Sequence, residues 1–180
     1  ELKDVERVYG GGNRKVQVLN QINLSIKENQ LIALKGRSGS GKTTLLNLIG
    51  ALDRPTNGEI YFHGEPLSKL NSKQQAEYPR TKLGFIFQSH GLVPLMTVAE
   101  NIEFGLRVAG VPRDEWDSRV QEAIKVVGLT NRAKHRPYEL SGGEQQRVAI
   151  ARAISTEPPL ILADEPTAEL NSTMAYQIVQ

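Results

Sequence analysis

The sequence has 180 residues, enough for one domain with a sizeable hydrophobic core, and its 39% hydrophobic and 23% charged content is typical of globular proteins. Its 22 basic and 20 acidic side chains give a formal net charge of +2, which is too small to indicate a surface for nucleic acid or for an anionic membrane. It contains no cysteine, which excludes disulfides, thiol catalysis and Cys-ligated zinc, and no apolar run that approaches the roughly 18 residues of a membrane helix.

In the first part of the chain, the hydrophobic pattern predicts three strands and one helix. Apolar and polar residues alternate over 22–26, as in a half-buried strand. Residues 31–34 form an apolar run without alternation, which predicts a strand buried on both faces of a parallel sheet. Residues 42–52 have apolar side chains at helical spacing, and the turn signal Asn57-Gly58 precedes another short strand over 59–62.

The second part of the chain contains start and stop signals for three helices. Residues 97–100 and 141–144 are capping-box patterns, each with Thr or Ser followed three residues later by Glu. Between them, Pro112 can open a helix whose apolar stripe includes Trp116, and Gly128 is a plausible C-terminal cap. The last of the three helices is predicted to run to about residue 155, before Pro158-Pro159.

Two further apolar runs, at 84–87 and Leu160–Ala163, resemble the run at 31–34 and are also predicted as buried strands. Strands that alternate with helices predict an α/β domain. The mostly helical stretch over 89–140 is interpreted as an insertion into that α/β core.

Residues 36–43 have the sequence Gly-Arg-Ser-Gly-Ser-Gly-Lys-Thr, which is the pattern G-x-x-x-x-G-K-[ST] of a phosphate-binding loop. Glycines let backbone N–H groups turn inward around phosphate oxygens, and the helix that follows adds the positive end of its dipole. Lys42 can bridge the β- and γ-phosphates, and the Thr43 hydroxyl can ligate Mg²⁺. The alternative is an accidental glycine-rich turn, which the predicted flanking strand and helix disfavour. The loop therefore predicts binding of a nucleotide, with ATP and Mg²⁺ as the expected ligands.

Two carboxylates, Asp164 and Glu165, directly follow the predicted strand Leu160–Ala163. Ligands of parallel sheets collect at the carboxyl ends of the strands. Asp164 is therefore expected to reach Mg²⁺ from the same sheet edge as the phosphate loop, and Glu165 to polarise an attacking water. Alone, the pair could equally be a polar strand end that caps the next turn; together with the phosphate loop, the catalytic interpretation is favoured.

Residues 140–147, Leu-Ser-Gly-Gly-Glu-Gln-Gln-Arg, resemble the signature motif of the ABC (ATP-binding cassette) ATPases. The order of phosphate loop, glutamine loop, helical insertion, signature and acidic pair resembles that family over the whole chain. The resemblance implies a phosphate-loop NTPase core with an antiparallel β subdomain, in 1–88 and 141–180. It also implies an inserted helical subdomain in 89–140.

The signature has a chemistry of its own. Ser141, Gly142 and Gly143 are predicted at a helix N-terminus, where N–H groups and a hydroxyl can hold an anion. The resemblance implies that these residues and Glu144 contact the γ-phosphate held by a second subunit, in a head-to-tail dimer with ATP at the interface. The alternative is that Ser141 and Glu144 only cap a helix.

The resemblance also assigns roles to single residues. Tyr9 would stack on adenine, although a lone tyrosine more often packs in a core. Gln88 would touch Mg²⁺ or the attacking water and sense a membrane partner, although an isolated glutamine is more often a surface residue. The implied catalytic residues are Lys42, Gln88 and Glu165, and the implied metal ligands are Thr43, Gln88 and Asp164. The implied contacts to the chain's own ATP are Tyr9, Gly36, Ser38, Gly39, Ser40, Gly41, Lys42, Thr43 and Thr44.

The sequence departs from the family pattern in three places. Asn171 stands where the family usually has Asp, which keeps the hydrogen bonding and loses the charge. Arg37 occupies a position that is often Pro in close relatives, and its guanidinium is expected to face solvent. The switch histidine of the family would lie beyond Gln180, and none of the three histidines of the sequence matches it. Because the chain starts at Glu1 rather than Met and stops at Gln180 in a helical-looking run, it is expected to be a fragment. Without the switch histidine, it is expected to bind ATP more securely than it hydrolyses it.

The expected function is that of an ATPase subunit that powers a membrane transporter from the cytoplasmic face of the cell membrane. Its implied partners are a second ABC ATPase subunit and an integral membrane permease, with no nucleic acid. Residues 46–55, 84–88 and 161–167 resemble the bacterial lipoprotein-releasing and macrolide-export class.

Two other classes of protein are disfavoured by the sequence. A soluble ABC ATPase that acts on nucleic acid or ribosomes would carry coiled coils, tandem cassettes or basic extensions, and the sequence shows none of them. A kinase or GTPase is disfavoured because the guanine-reading motif Asn-Lys-x-Asp is absent and such enzymes do not need the signature.

Overall fold

The computed structural model describes residues 1–166. The chain forms two compact units, Glu1–Pro79 and Arg80–Gln180. Within the described part of the chain, no helix combines the length and apolar character needed to cross a membrane.

The first unit contains an antiparallel sheet, as the family resemblance implied. Its strands are β1 (Leu2–Tyr9), β2 (Val16–Leu24), β3 (Asn57–Phe62) and β4 (Glu65–Pro66), in the spatial order β2-β1-β3-β4. Each neighbouring pair is antiparallel. The strand predicted over 22–26 is the end of β2, which begins at Val16 and stops at Leu24, and partly buried and exposed residues alternate over 22–26 as predicted. The strand predicted over 59–62 begins two residues earlier, at Asn57.

Two α-helices belong to this part of the chain. Helix α1 (Lys42–Ile49) follows the phosphate loop as predicted and ends three residues earlier, where Gly50 caps it through bonds from its N–H to the Leu46 and Leu48 carbonyls. Helix α2 (Ser72–Thr81) has no counterpart among the predicted elements, since it is polar, contains Pro79 and buries only Tyr78. The buried apolar side chains of the unit are Leu2, Val5, Leu19, Leu45, Leu46, Leu48, Ile49, Ile60 and Tyr78.

The predicted buried strand at 31–34 is wrong. These residues have no regular secondary structure, and Leu31 is 71% exposed. A strand must pair its backbone N–H and C=O groups with a neighbouring strand. Neither of the two sheets among residues 1–166 includes this segment. The apolar composition was therefore not sufficient to make a strand without a pairing partner.

The second unit contains a parallel pair of strands, β5 (Leu83–Ile86) and β6 (Leu160–Ala163). Their register runs from Leu83 opposite Leu160 to Ile86 opposite Ala163. The prediction for β6 is confirmed, and that for β5 is displaced by one residue. The two strands therefore end side by side at one sheet edge.

Three helices complete the described part of this unit: α3 (Val98–Ala109), α4 (Trp116–Val126) and α5 (Gly142–Ile154). Both predicted capping boxes are present, at the starts of α3 and α5. Trp116 is buried as predicted, and Gly128 follows the end of α4 with a φ of 68°. The helices enclose one apolar core with β5, formed by Ile86, Val98, Ile102, Leu106, Trp116, Val120, Ala123, Ile124, Val127, Leu129, Leu140, Val148, Ile150, Ala151 and Ala153.

Candidate functional site

The phosphate loop folds around the side chain of Lys42. The ammonium Nζ of Lys42 donates to the carbonyl oxygens of Gly36, at 3.0 Å, and Arg37, at 3.1 Å. Gly39 and Gly41 have φ values of 78° and 90°, in the left-handed region that favours glycine. The loop thus holds the Lys42 ammonium against its own backbone. Residues other than glycine would not readily adopt the backbone conformation at positions 39 and 41.

The space inside and behind the loop excludes larger residues. A Cβ atom on Gly41 would lie 2.9 Å from Leu19 Cδ2 and 3.1 Å from the Val18 carbonyl oxygen, because the loop packs against β2. A Cβ atom on Gly36 would lie 2.6 Å from Ser40 Oγ. Backbone can approach closely here only because no side chain intervenes, which is the condition for N–H groups to surround a phosphate. The residues present therefore fit a polyphosphate.

The start of α1 has no side-chain cap. Gly41 is the N-cap and has no side chain to bond the first helical N–H groups. Ser38, Ser40 and Thr43 are exposed, and Thr44 is partly buried. Arg37 is also exposed, which agrees with the prediction that its guanidinium faces solvent.

Tyr9, the expected adenine contact, ends β1 opposite Val16 of β2. The residue is 40% exposed, and its hydroxyl donates to Asp53 Oδ2 at 2.8 Å. The guanidinium of Arg7 lies over the ring, 4.3 Å from its centroid. The ring that is predicted to stack on a base is thus held in position by Asp53 and Arg7.

In the second unit, the structure brings together Gln88 and Glu165, which are distant in sequence. Each lies two residues beyond the end of its strand, and the Gln88 amide Nε2 donates to Glu165 Oε2 at 3.1 Å. The backbone N–H of Asp164 continues the strand pairing by donating to the Ile86 carbonyl at 3.0 Å. Glu165 is exposed and has a φ of 51°, which is uncommon for a residue with a side chain. Glutamine, aspartate and glutamate thus share one sheet edge.

The loop after Gln88 is held by Arg152 of α5, which sequence reasoning missed. The guanidinium donates to the carbonyl oxygens of Gly91, at 2.6 Å, and His90, at 2.8 Å. Burial lowers the pKa of Arg152. No local pattern marks this contact, because its partners are 61 and 62 residues away in sequence.

The signature residues form the N-terminus of α5. The Ser141 hydroxyl accepts from the Glu144 N–H at 3.3 Å and donates to Glu144 Oε2 at 2.9 Å. The Ser141 N–H also donates to that carboxylate, and Arg132 Nε donates to its Oε1 at 3.1 Å. Hydrogen bonds from the Ser141 backbone and hydroxyl, followed by Arg132, lower the pKa of Glu144. Ser141 is exposed, so its hydroxyl can exchange Glu144 for another acceptor.

Oxygen donors that suit Mg²⁺ are present on both units: the Thr43 hydroxyl on the first, and the Gln88 and Asp164 side chains on the second. Between Glu1 and Pro166, no group of three or more His, Cys, Asp or Glu side chains could hold a metal ion. Asn171 and the C-terminal run to Gln180 lie outside the described residues.

A phosphate-loop ATPase is the class of protein that this fold and these residues define. The chain belongs to the ABC transporter family, whose model matches residues 19–168. Members of this family bind ATP, generally with Mg²⁺, and hydrolyse it, so the chain is an ABC ATPase.

Individual relatives agree with this assignment. An uncharacterized ABC transporter ATP-binding protein of Thermotoga maritima is 44% identical over 180 residues, which span all of this chain and 77% of the relative. Two solved structures of the ATP-binding cassette MJ0796 are 42% identical, with TM-scores of 0.89, and cover 98% of this chain and 78% of theirs. One is a dimeric post-hydrolysis state bound to ADP and Pi, and the other is described as a dimeric bacterial ABC transporter cassette.

Proposed function

We propose that the chain powers a membrane transporter by binding and hydrolysing ATP between two cassette subunits. The observation that carries the proposal is that one chain has two elements suited to phosphate. In the loop 36–43, the Lys42 ammonium bonds the Gly36 and Arg37 carbonyls, and the hydroxyl of the exposed Ser141 caps α5. A nucleotide bound by the loop of one subunit would use the α5 N-terminus of the other.

In this proposal, the phosphate loop holds the ATP of its own subunit. Lys42 exchanges the Gly36 and Arg37 carbonyls for the β- and γ-phosphates, to which a charged donor binds more strongly than to a neutral carbonyl. The loop N–H groups and the hydroxyls of Ser38, Ser40 and Thr44 supply further donors, and Tyr9 stacks on adenine. Gly36 and Gly41 allow the close packing of the loop, and Gly39 and Gly41 adopt its left-handed backbone conformations.

For hydrolysis, we assign the general base to Glu165 and the orientation of the water to Gln88. The bond from Gln88 Nε2 occupies Glu165 Oε2 and leaves Oε1 to accept a proton from a water. Bound Mg²⁺ would neutralise charge on the phosphates, with Thr43, Gln88 and Asp164 as its protein ligands. Besides orienting the water, Gln88 would thus hold in place the Glu165 carboxylate that receives the proton.

The signature is proposed to act on the nucleotide of the partner subunit. Its Ser141 hydroxyl would leave the Glu144 carboxylate and donate to a γ-phosphate oxygen. Glu144 remains anchored in that state by the Ser141 N–H and by Arg132. With Gly142 and Gly143, the helix start then presents N–H groups and the positive end of its dipole. The dimeric structures of the related cassette support this assembly.

The proposed partners are a second ABC ATPase subunit and an integral membrane permease, which would hold the chain at the cytoplasmic face of the membrane. The relative from Thermotoga maritima, which is named as an ABC transporter ATP-binding protein, supports this role. The narrower proposal is the lipoprotein-releasing or macrolide-export class. Recovery of the protein from its native membrane together with a permease supports the proposal, and its recovery only with ribosomes or DNA contradicts it.

The phosphate-loop assignment is tested by Lys42→Ala. Loss of one charged donor to phosphate weakens binding by about 1.5–3 kcal/mol, or about ten- to hundredfold in the dissociation constant of Mg·ATP. Titration calorimetry measures that constant. The matched control is Lys35→Ala, which removes an exposed lysine just before the loop and should leave it unchanged. Equal binding by wild type and Lys42→Ala would refute the assignment.

A further inference from the structure

The side chains of Arg7, Tyr9 and Asp53 in the first unit all contact one another. We call these three residues the Tyr9 clamp. Arg7 and Tyr9 lie on β1, and Asp53 lies after α1, 46 residues from Arg7. No motif in the sequence joins them.

The Asp53 carboxylate accepts hydrogen bonds from both Arg7 and Tyr9. Asp53 Oδ1 accepts from Arg7 Nη2 at 2.8 Å, and Asp53 Oδ2 accepts from the Tyr9 hydroxyl at 2.8 Å. The backbone N–H of Arg54 also donates to Asp53 Oδ1, at 2.7 Å. The side chains of Arg7 and Asp53 are 21% and 27% exposed, so solvent screens this ion pair less than it screens a surface pair. The carboxylate is therefore fixed from three directions.

The third side of the cluster is a cation–π contact. The Arg7 guanidinium carbon lies 4.3 Å from the centroid of the Tyr9 ring, close enough for attraction between the cation and the ring face. The ring is thus held at its tip by Asp53 and on one face by Arg7, while 40% of the residue stays exposed. A planar base can approach the ring only from the side that Arg7 leaves open.

We propose that Arg7 and Asp53 are positioning residues that hold the Tyr9 ring ready to stack on adenine, with the guanidinium on one face and the base on the other. This inference rests on the proposed adenine contact of Tyr9. A side chain that is ordered before binding loses less conformational entropy when the ligand arrives. The clamp therefore strengthens binding of the base and leaves binding of the phosphates unchanged.

The experiment compares Mg·ATP with Mg·tripolyphosphate, which offers the loop its phosphates and has no base. Arg7→Met removes the cation, and Tyr9→Phe keeps the ring while losing the bond to Asp53. Each variant should raise the dissociation constant of Mg·ATP about three- to tenfold, which is the scale of ordering one side chain. The dissociation constant of Mg·tripolyphosphate should stay unchanged. Arg54→Met is the matched control, because the Arg54 side chain bonds Gln75 Oε1 outside the clamp, and its binding should equal that of wild type.

Tyr9→Ala tests the adenine contact of Tyr9 separately from the positioning role of Arg7 and Asp53. Stacking of a base on an aromatic ring contributes about 1–3 kcal/mol, so this variant should weaken Mg·ATP by about five- to hundredfold. Adding Arg7→Met to it should have no further effect. Unchanged Mg·ATP binding by Tyr9→Ala overturns both the adenine contact and the clamp. A loss with Tyr9→Ala alone, and none with Arg7→Met and Tyr9→Phe, overturns the clamp and leaves the adenine contact standing. Equal weakening of both ligands by Arg7→Met also overturns the clamp, because the loop itself is then disturbed.

Discussion

Ser141→Ala and Thr97→Ala remove the same local interaction from two helices of one protein. In each capping box, a hydroxyl accepts from the N–H of a glutamate three residues later, at 3.3 Å for Ser141 and 3.2 Å for Thr97. In each, the carboxylate also accepts from the N–H of the capping residue, and alanine preserves that second bond. Only Ser141 is proposed to meet a phosphate. The pair therefore separates a structural from a catalytic role.

The expected stability changes are similar, although Ser141→Ala also loses the bond from its hydroxyl to Glu144 Oε2. Loss of an N-cap hydroxyl costs about 0.5–2 kcal/mol, typically about 1. For a protein of this size, 1 kcal/mol lowers Tm by about 2–4 °C. The functional change differs, because Ser141→Ala also removes a donor to an anionic oxygen. That loss is about 1.5–3 kcal/mol, or about ten- to hundredfold in kcat/KM for Mg·ATP.

The assay is steady-state ATP hydrolysis at protein concentrations that allow dimers, with thermal unfolding measured on the same samples. Ser141→Ala should lose most of its turnover, and Thr97→Ala should retain it within a factor of about two at a temperature where both are folded. Similar turnover of the two variants would refute the reasoning, because Ser141 would then be only a helix cap.

Two further predictions concern stability. Burial raises the pKa of Tyr78 to about 12, while the unfolded chain releases this proton near pH 10, so the free energy of unfolding should fall as pH rises above about 10. Urea denaturation at pH 9 and pH 11 should show that fall in wild type and a smaller one in Tyr78→Phe; equal falls would contradict the burial of this phenol. Asn101 is fully buried and bonds the Val93 N–H and the carbonyls of Val93, Met96 and Thr97. Asn101→Ala should lower the free energy of unfolding, measured by urea denaturation, by about 2–4 kcal/mol, because these backbone groups lose their partner. A loss under about 1 kcal/mol would show that other partners replace the bonds.

Features encoded within a few residues could be predicted from the sequence. The phosphate loop and both capping boxes depend on side chains no more than seven positions apart, and the structure has the loop, α3 and α5 where the patterns indicated. The strand Leu160–Ala163 was also predicted with correct bounds, because an apolar run ending in two carboxylates gives a clear limit.

Features that depend on distant partners could not be predicted. Residues 31–34 have the composition of a strand and pair with neither described sheet. Helix α2 buries little apolar surface and contains a proline, so neither periodicity nor propensity indicated it. The contacts of Arg7 with Asp53 and of Arg152 with His90 join residues 46 and 62 positions apart. Such pairs become visible only in three dimensions.

The proposed function requires that ATP joins two cassette subunits and that Glu165 then drives hydrolysis. Sedimentation velocity of Glu165→Gln with Mg·ATP and with Mg·ADP tests it most directly, since glutamine can still accept a hydrogen bond but cannot take the proton. We expect a stable dimer with Mg·ATP, a monomer with Mg·ADP, and no ATP-dependent dimer when Lys42→Ala is added. The proposed function is contradicted if Glu165→Gln binds Mg·ATP and stays monomeric, or if it hydrolyses Mg·ATP at the wild-type rate.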